Sequence, residues 1–238
     1  MRGGRGGGGI AIAPRSAQSR RILQLKFSPG PLEDPLQADS PADLVSKFSQ
    51  ADGKRPLFLF LTSREPKAAK TTALIEKTVF KDERVCLGAK FFRLCQIEAE
   101  KISRSHPLFK LIGGKKLPRI VLISMDGKTH KKMEGRVSAG RLFAAMKSIV
   151  RKDFKRNLGA FATKMRKILN EIDKLEGEKR RLENQQALAA KKGSKNAKAK
   201  LLEKKKALLE SKAKALTERM KDLLAWTVPP EEKTAKND

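Results

Sequence analysis

Few side chains in this sequence are suited to nucleophilic or redox chemistry. The chain has two cysteines, Cys86 and Cys95, and two histidines, His106 and His130, among 238 residues. Two cysteines are too few for a disulfide framework or a four-ligand zinc site, so we expect reduced thiols and a reducing compartment. Cys86 lies in a predicted helix and Cys95 in a predicted strand, which indicates two small buried hydrophobes. A disulfide between them stays open, because the sequence does not fix their separation.

The charge balance is strongly basic. Lys and Arg number 54 against 26 Asp and Glu, a formal net charge of +28. Such a surplus predicts non-specific attraction to polyanions such as nucleic acid. No stretch reaches the roughly 18 to 20 apolar residues that cross a bilayer, and no secretory signal is present, so we expect a cytoplasmic protein without a membrane span.

The amino-terminal residues 1–41 are dominated by Gly, Arg, Pro and Ser. A segment of this composition buries too little apolar area to order itself, which predicts a disordered leader. Two Arg-Gly-Gly units begin at Arg2 and Arg5, and they could contact an RNA backbone.

Residues 42–155 alternate short apolar runs with amphipathic helical segments, a pattern typical of an α/β domain. Apolar runs of strand length predict buried strands, since a strand covered on both faces is apolar throughout. These runs are residues 57–61 and 120–123, and residues 91–97 are predicted as a further strand between them.

Local signals mark the turns and helix starts of the same domain. The Asp126-Gly127 pair predicts a hairpin turn, so residues 128–137 return as an antiparallel edge strand whose lysines face solvent. Asp82 and Ser138 predict the N-caps of two helices.

Beyond this domain the apolar periodicity changes to a heptad, which is typical of a coiled-coil seam. A break at residues 192–194 predicts a reversal, so residues 156–226 predict an antiparallel coiled-coil hairpin, followed by a polar tail over residues 227–238. The seam comprises Phe154, Leu158, Phe161, Met165, Ile168, Ile172, Leu175, Leu182 and Ala189, and then Leu202, Leu209, Leu216 and Leu223.

The hairpin has two further predicted properties. Because the helical pattern of residues 138–191 continues through Gly159, we expect one continuous helix of about 80 Å that flexes at Gly159. Two helices alone leave part of the seam uncovered, which predicts association with a protein partner or a second copy. The uncovered seam residues are Phe161, Met165, Ile172 and Leu209, and Trp226 is expected to close the hairpin base.

The order of elements over residues 42–155 resembles the thioredoxin fold, and within it bacterial thioredoxin-like proteins. Residues 76–80 are similar to the stretch that follows the family's redox motif. Residues 115–118 resemble the loop that presents its cis-proline, and residues 126–128 resemble its hairpin. The resemblance makes Pro118 the cis-proline candidate, either shaping a peptide-binding groove or keeping the turn geometry.

The resemblance places the family's redox pair on Ala69 and Thr72. Where the family has Cys-x-x-Cys, this chain reads Ala69-Lys70-Thr71-Thr72. The family's chemistry depends on a thiolate at a helix N-terminus and a second thiol one turn later. Alanine cannot attack, and a threonine hydroxyl is a poor nucleophile without a base, a role for which neither histidine is recognisably placed.

Together these patterns predict a redox-inactive thioredoxin-like protein that binds or scaffolds through its coiled-coil hairpin. No cofactor and no metal is predicted. Two alternatives stay open. One is a thiol-disulfide oxidoreductase that works through Cys86 or Cys95, and the other is a basic nucleic-acid-associated protein.

Overall fold

The chain forms an α/β structure with a mixed sheet and helices on both sheet faces. The computed structural model describes residues 15–29, 39–48, 54–102, 104–112, 116–191 and 196–229. The strands in this part of the chain are β1 (Ser28–Pro29), β2 (Leu57–Thr62), β3 (Arg93–Glu98), β4 (Arg119–Ile123) and β5 (His130–Glu134). The helices are α1 (Ala17–Leu23), α2 (Pro41–Phe48), α3 (Pro66–Thr78), α4 (Glu83–Gly88), α5 (Phe109–Ile112), α6 (Ala139–Phe154), α7 (Leu158–Lys191) and α8 (Asn196–Leu224).

The sheet has the order β1-β3-β2-β4-β5. Strand β3 runs parallel to β1 and β2, whereas β4 is antiparallel to β2 and to β5. Leu59 of β2 lies opposite Cys95 on one side and Val121 on the other. The predicted buried strands at residues 57–61 and 120–123 are confirmed, because every residue of both runs is fully buried.

Alternation along β2 and β4 divides the core into two layers. Phe58, Phe60, Ile120 and Leu122 point to the layer formed by α3, α4, α6 and the first turns of α7. Leu57, Leu59, Leu61, Val121 and Ile123 point to the opposite layer, which α2 and α5 cover. Each of these strands is therefore apolar on both faces, as strands between two helical layers are.

The predicted helix caps and the turn before an antiparallel edge strand are confirmed, but that strand covers His130–Glu134 and not all of residues 128–137. Asp82 accepts a hydrogen bond from the Arg84 N–H at 2.9 Å at the start of α4, and Ser138 accepts one from the Arg141 N–H at 3.3 Å at the start of α6. Gly127 has φ +69°, and a Cβ at this position would collide with the backbone of Ala42. Both features require glycine in the β4–β5 turn.

The prediction of one continuous helix over residues 138–191 is wrong. Helix α6 ends at Phe154, Lys155 has the left-handed φ of 53°, and α7 begins at Leu158. Asn157 Oδ1 accepts the Ala160 N–H at 3.1 Å and caps the new helix. Phe154 and Leu158 both lie in the same core. A bend lets α6 and α7 each turn an apolar face to that core, so Gly159 lies within α7 and not at a flexing point.

The prediction of a disordered leader over residues 1–41 is wrong for residues 15–29. Helix α1 packs against α7 and α4, and β1 pairs with β3. The Phe27 ring lies 5.3 Å from the Phe80 ring and 5.7 Å from the Phe58 ring. The apolar side chains of residues 22–27 supply the burial that the average composition of the segment conceals. Residues 1–14 and 30–38 lie outside the described residues.

Candidate functional site

The predicted redox-motif positions lie within α3, after its first turn. Helix α3 begins at Pro66, a residue suited to the first helical position, and the Ala69 N–H donates to the Glu65 carbonyl at 2.8 Å. Ala69 and Lys70 are exposed, whereas Thr71 and Thr72 are half-buried. These four residues therefore occupy one turn of an ordinary helix surface.

This placement differs from the helix N-terminus that thiolate chemistry uses. The free N–H groups and the positive end of the helix dipole are at residues 65–68, so Ala69 lies three residues beyond Pro66. Neither Ala69 nor Thr72 is a cysteine, and the first turn of α3 contains none. No described side chain hydrogen-bonds to the buried Thr72 hydroxyl, so no base activates it.

Both cysteines are buried free thiols in different parts of the core. Cys86 lies in α4, where its Sγ donates to the Phe80 carbonyl at 3.3 Å. Cys95 lies in β3, in the layer covered by α2. Burial raises the pKa of each thiol to about 11. Because the thiolate is the reactive form, both cysteines are poor nucleophiles near neutral pH. The structure contains no disulfide between them.

The cis-proline candidate adjoins a buried ion pair. The Leu117–Pro118 peptide bond is cis, and the Pro118 side chain is buried. The next residue, Arg119, is 4% exposed, and its guanidinium forms an ion pair with Glu134 at 2.8 Å and donates to the Leu111 carbonyl at 3.2 Å. A buried guanidinium requires such partners, so Arg119 anchors the segment after Pro118 to β5 and α5.

The two histidines lie in other elements than the cysteines, one in a turn and one on the edge strand. The Nδ1 of His106 accepts the Leu108 N–H at 3.0 Å, which closes the turn before α5. His130 is an exposed residue of the edge strand β5. Among the residues that the structure describes, no three His, Cys, Asp or Glu side chains are grouped to hold a metal ion.

The first half of α7 belongs to the α/β core. Phe161 and Met165 are fully buried, and Phe161 packs 4.9 Å from the Phe91 ring. Core contacts continue along α7 to Leu169. The predicted division between a domain ending at residue 155 and a hairpin starting at residue 156 therefore does not match the packing. The physical reason is the bend after Phe154, which returns α7 to the sheet layer.

The prediction that the seam is partly uncovered is wrong at the positions named for it. Phe161 and Met165 are 0% exposed, Ile172 is 6% exposed, and Leu209 is 7% exposed. The core covers Phe161 and Met165, and Ile172 packs with Leu216 and Ile22 of α1. The core and α1 thus cover the inner positions, which the heptad pattern does not predict, whereas Leu209 packs against Leu182 of α7.

The outer half of α7 has a different environment. The apolar cluster at this end joins Leu182 of α7 with Leu202 and Leu209 of α8, and contains no residue of the sheet. Residues early in α8 lie beside residues late in α7, so the two helices run in opposite directions. Three leucines in this outer part are exposed, and these are Leu188 at 58%, Leu201 at 53% and Leu208 at 56%. The predicted reversal at residues 192–194 lies outside the described part.

An ion-pair network near α1 was not anticipated from sequence. Arg15 donates to Glu83 at 2.6 Å and to Asp173 at 2.7 Å, joining the start of α1 to α4 and α7. The Arg15 hydrogen bond lowers the pKa of Glu83. Burial opposes ionisation of Asp173, but hydrogen bonds from Ser19 and Arg15 outweigh it and leave the pKa of Asp173 lowered. Ser16, which caps α1, is the sequence signal that could have located this helix.

Trp226 packs at the base of the helix pair, where it was expected. Its ring lies 6.5 Å from the Phe161 ring, and the Arg156 and Lys164 cations lie 5.2 Å and 4.7 Å from its centroid. The end of α8 is thus held to the first turns of α7 by aromatic and cation–π contacts.

No helix in the described residues combines the length and the apolar character needed to cross a lipid bilayer.

Comparison of the sequence with known proteins gives no match. No protein-family model matches the sequence, and no curated protein matches it.

Proposed function

We propose that this chain is a redox-inactive member of the thioredoxin-like class whose function is to bind a protein partner or a second copy. In this proposal α7 and α8 form an antiparallel coiled-coil hairpin, and its outer half carries the binding surface. The inner half of α7 is part of the closed α/β core.

The order of elements supports the thioredoxin-like assignment. Strand β2 leads into α3, β3 follows, and β4 comes directly after the cis Leu117–Pro118 bond. The Asp126-Gly127 turn then joins β4 to β5, and α6 is the final helix of this set. This is the succession on which the resemblance rests.

The state of the thiols supports binding over disulfide exchange. With a pKa of about 11, each thiol is almost entirely protonated at neutral pH. Cys86 is 2% exposed and Cys95 is 1% exposed, so neither sulfur can reach the disulfide of a substrate protein. A thiol-disulfide oxidoreductase needs both ionisation and access.

The exposed leucines of the outer helix pair are the observation that carries the binding proposal. Leu201 and Leu208 are seven residues apart and share one side of α8, beside the buried leucines Leu202 and Leu209. Charged residues surround them on an otherwise polar helix surface. Apolar side chains grouped in a polar surface are typical of a protein interface.

Thiol titration tests the redox part of the proposal. We expect neither thiol of the folded protein to react with a chromogenic disulfide within minutes, and both to react in guanidinium. Reduction of a model protein disulfide, with a dithiol present, should stay at the dithiol background. Turnover above background that Cys86→Ser or Cys95→Ser abolishes would instead establish an enzyme.

Sedimentation analysis tests the binding part for the second-copy case. The test variant is Leu201→Glu with Leu208→Glu, and the matched control is Ala207→Glu with Ser211→Glu, which changes the charge equally on another exposed side of α8. We expect the native chain and the control to associate with rising concentration and the test variant to remain monomeric. If the native chain is monomeric at all concentrations, the same pair of variants is compared for binding to a protein partner.

A further inference from the structure

The bend between α6 and α7 forms a basic groove. Its volume is about 1110 Å³, and the described residues that line it include five cations and no carboxylate. The cations are Lys147, Arg151, Lys152, Lys155 and Arg156. The second cavity described for the chain, beside α1, has a mixed lining in which Glu76 and Glu83 accompany the arginines. The groove therefore differs in the charge of its described lining from this smaller cavity of about 740 Å³ in the same basic protein.

Four of the five groove cations form no ion pair in the described structure. Lys152 pairs with Asp126 at 2.9 Å, and the neighbouring carboxylate Asp153 is half-buried and accepts the Met125 N–H at 2.8 Å. The cations that form no ion pair are Lys147, Arg151, Lys155 and Arg156, all of them exposed, although the Asp153 carboxylate still attracts Lys155. Unpaired like charges held close together favour an anionic ligand, because the ligand relieves their mutual repulsion.

Helix capping does not explain the whole set of cations. Arg151 and Lys152 lie in the last turn of α6, where they complement the negative end of the helix dipole. Lys147 lies two turns before the helix end, and Arg156 lies beyond it. Lys147 and Arg151 are four residues apart and therefore lie on one side of α6, about 6 Å apart along its axis. Lys155 extends this stripe into the bend beyond the end of the helix.

The basic track continues past the bend to an aromatic ring. Arg156 lies 5.2 Å from the Trp226 ring, and Lys164 of α7 lies 4.7 Å from the same ring. The track thus runs from Lys147 on α6 to Lys164 on α7. A concave, linear arrangement of cations fits a narrow flexible polyanion, whereas a flat bilayer surface cannot follow the groove.

We infer that the groove between α6 and α7 binds the phosphate backbone of single-stranded nucleic acid. Successive cations of the stripe meet successive phosphates of an extended strand, and the contact is independent of base sequence. This activity lies on the α/β core, apart from the exposed leucines of the helix pair.

Binding of a labelled oligouridine RNA of twenty nucleotides tests the inference, with two charge-matched variants of the full chain. The groove variant is Lys147→Gln, Arg151→Gln, Lys155→Gln and Arg156→Gln. The control variant is Lys204→Gln, Lys205→Gln, Lys206→Gln and Lys212→Gln, at exposed positions of α8. Circular dichroism and thermal unfolding establish that both variants remain folded.

We expect the groove variant to bind the RNA at least tenfold more weakly than the native chain at 100 mM salt, and the control less than threefold more weakly. Since each phosphate contact contributes about 0.7 to the slope of log K against log salt, four lost contacts should reduce that slope by about 3. Equal losses in both variants, or no RNA binding by the native chain, would overturn the inference.

Trp226 provides a local readout. It is the single tryptophan of the chain, which has no tyrosine, and it contacts Arg156. We expect its emission to change on RNA binding and this change to disappear in the groove variant. Unchanged emission at saturating RNA would place the binding elsewhere and contradict the inference.

Two further ligands show whether the groove prefers the phosphates of single-stranded RNA, of duplex RNA or of an anionic membrane. Duplex RNA of the same length and vesicles of phosphatidylserine and phosphatidylcholine are titrated under the same conditions. Tighter binding of the duplex than of the single strand would overturn the inference. Groove-dependent vesicle binding with RNA binding unaffected by the groove substitutions would overturn it in favour of a membrane.

Discussion

The two halves of α7 share one apolar periodicity but lie in different environments. From Leu158 to Leu169 the helix faces the sheet layer and is covered by α4, α6 and α1. Beyond Leu175 the apolar cluster contains only residues of α7 and α8. A heptad pattern therefore specifies that one side of a helix is covered, and it leaves open whether the cover is a partner helix or a domain core.

The largest expected effect is the loss of stability when a buried side chain in the inner half of α7 is truncated, compared with the same kind of truncation in the outer helix pair. Phe161→Ala in the inner half should lower the free energy of unfolding by about 3 to 5 kcal/mol, because a buried aromatic leaves a cavity between α7 and the sheet layer. Leu209→Ala in the outer pair should cost about 2 kcal/mol, the lower end of the range for a buried leucine, because fewer elements surround it. Denaturant unfolding followed by circular dichroism measures both. Equal losses would remove the distinction between the halves.

A second substitution should remove part of the cover that α1 gives to the inner half of α7. Arg15→Ala removes the guanidinium that joins α1 to α7 and α4, so α1 should detach from Asp173 and Glu83. We expect a loss of about 2 kcal/mol, since hydrogen bonds to charged groups are lost while Arg166 still pairs with Glu83. Proteolysis after Arg20 or Arg21 should become faster. An unchanged cleavage rate would show that the apolar contacts of α1 suffice.

The same network predicts a pH dependence. The folded-state pKa values of Glu83 and Asp173 are lowered, so their stabilising contribution is complete above the unfolded values of about 4.3 and 3.9. It is lost as the pH falls through the lower folded values. The stability difference between the native chain and Arg15→Ala should therefore be constant from pH 7 to about 5 and shrink below pH 4. A difference that does not change down to pH 3 would contradict this assignment.

The smallest effect on stability is expected at the outer surface. Leu201→Glu with Leu208→Glu should change the free energy of unfolding by less than about 0.5 kcal/mol, because both side chains are more than half exposed. The same variant should nevertheless lose association. Thermal unfolding at a concentration where the chain is monomeric measures the effect on the free energy of unfolding without any contribution from association. A large loss there would mean that these leucines support the fold.

The central strands, the β4–β5 turn and the helix N-caps could be predicted because each depends on local sequence. The apolar run at residues 57–61, the Asp126-Gly127 turn and the Ser138 cap each specify their own geometry within a few residues. The bend after Phe154 could not be predicted in this way. It places Lys155 in a left-handed conformation without a glycine or proline to mark it, and Asn157 is the only local signal.

The candidate site was predictable only in part. The absence of cysteine from the start of α3 is a property of the sequence, and the burial of Cys86 and Cys95 follows from their positions in a helix and a strand. The start of α3 at Pro66 leaves the predicted motif positions Ala69 and Thr72 beyond the first turn of the helix, a placement that depends on the exact helix start. The basic groove depends on the angle between α6 and α7, which no local pattern specifies.

Hydrogen exchange along α7 tests the central claim of this account most directly, namely that one helix is core in its inner half and a free-standing binding arm in its outer half. We predict that amides of residues 161–169 exchange only through global unfolding. Amides of residues 178–190 should exchange at least about a hundredfold faster, through local opening of the helix pair. Equal protection along the whole helix would contradict the division and would place the outer half in a fold unit with the core.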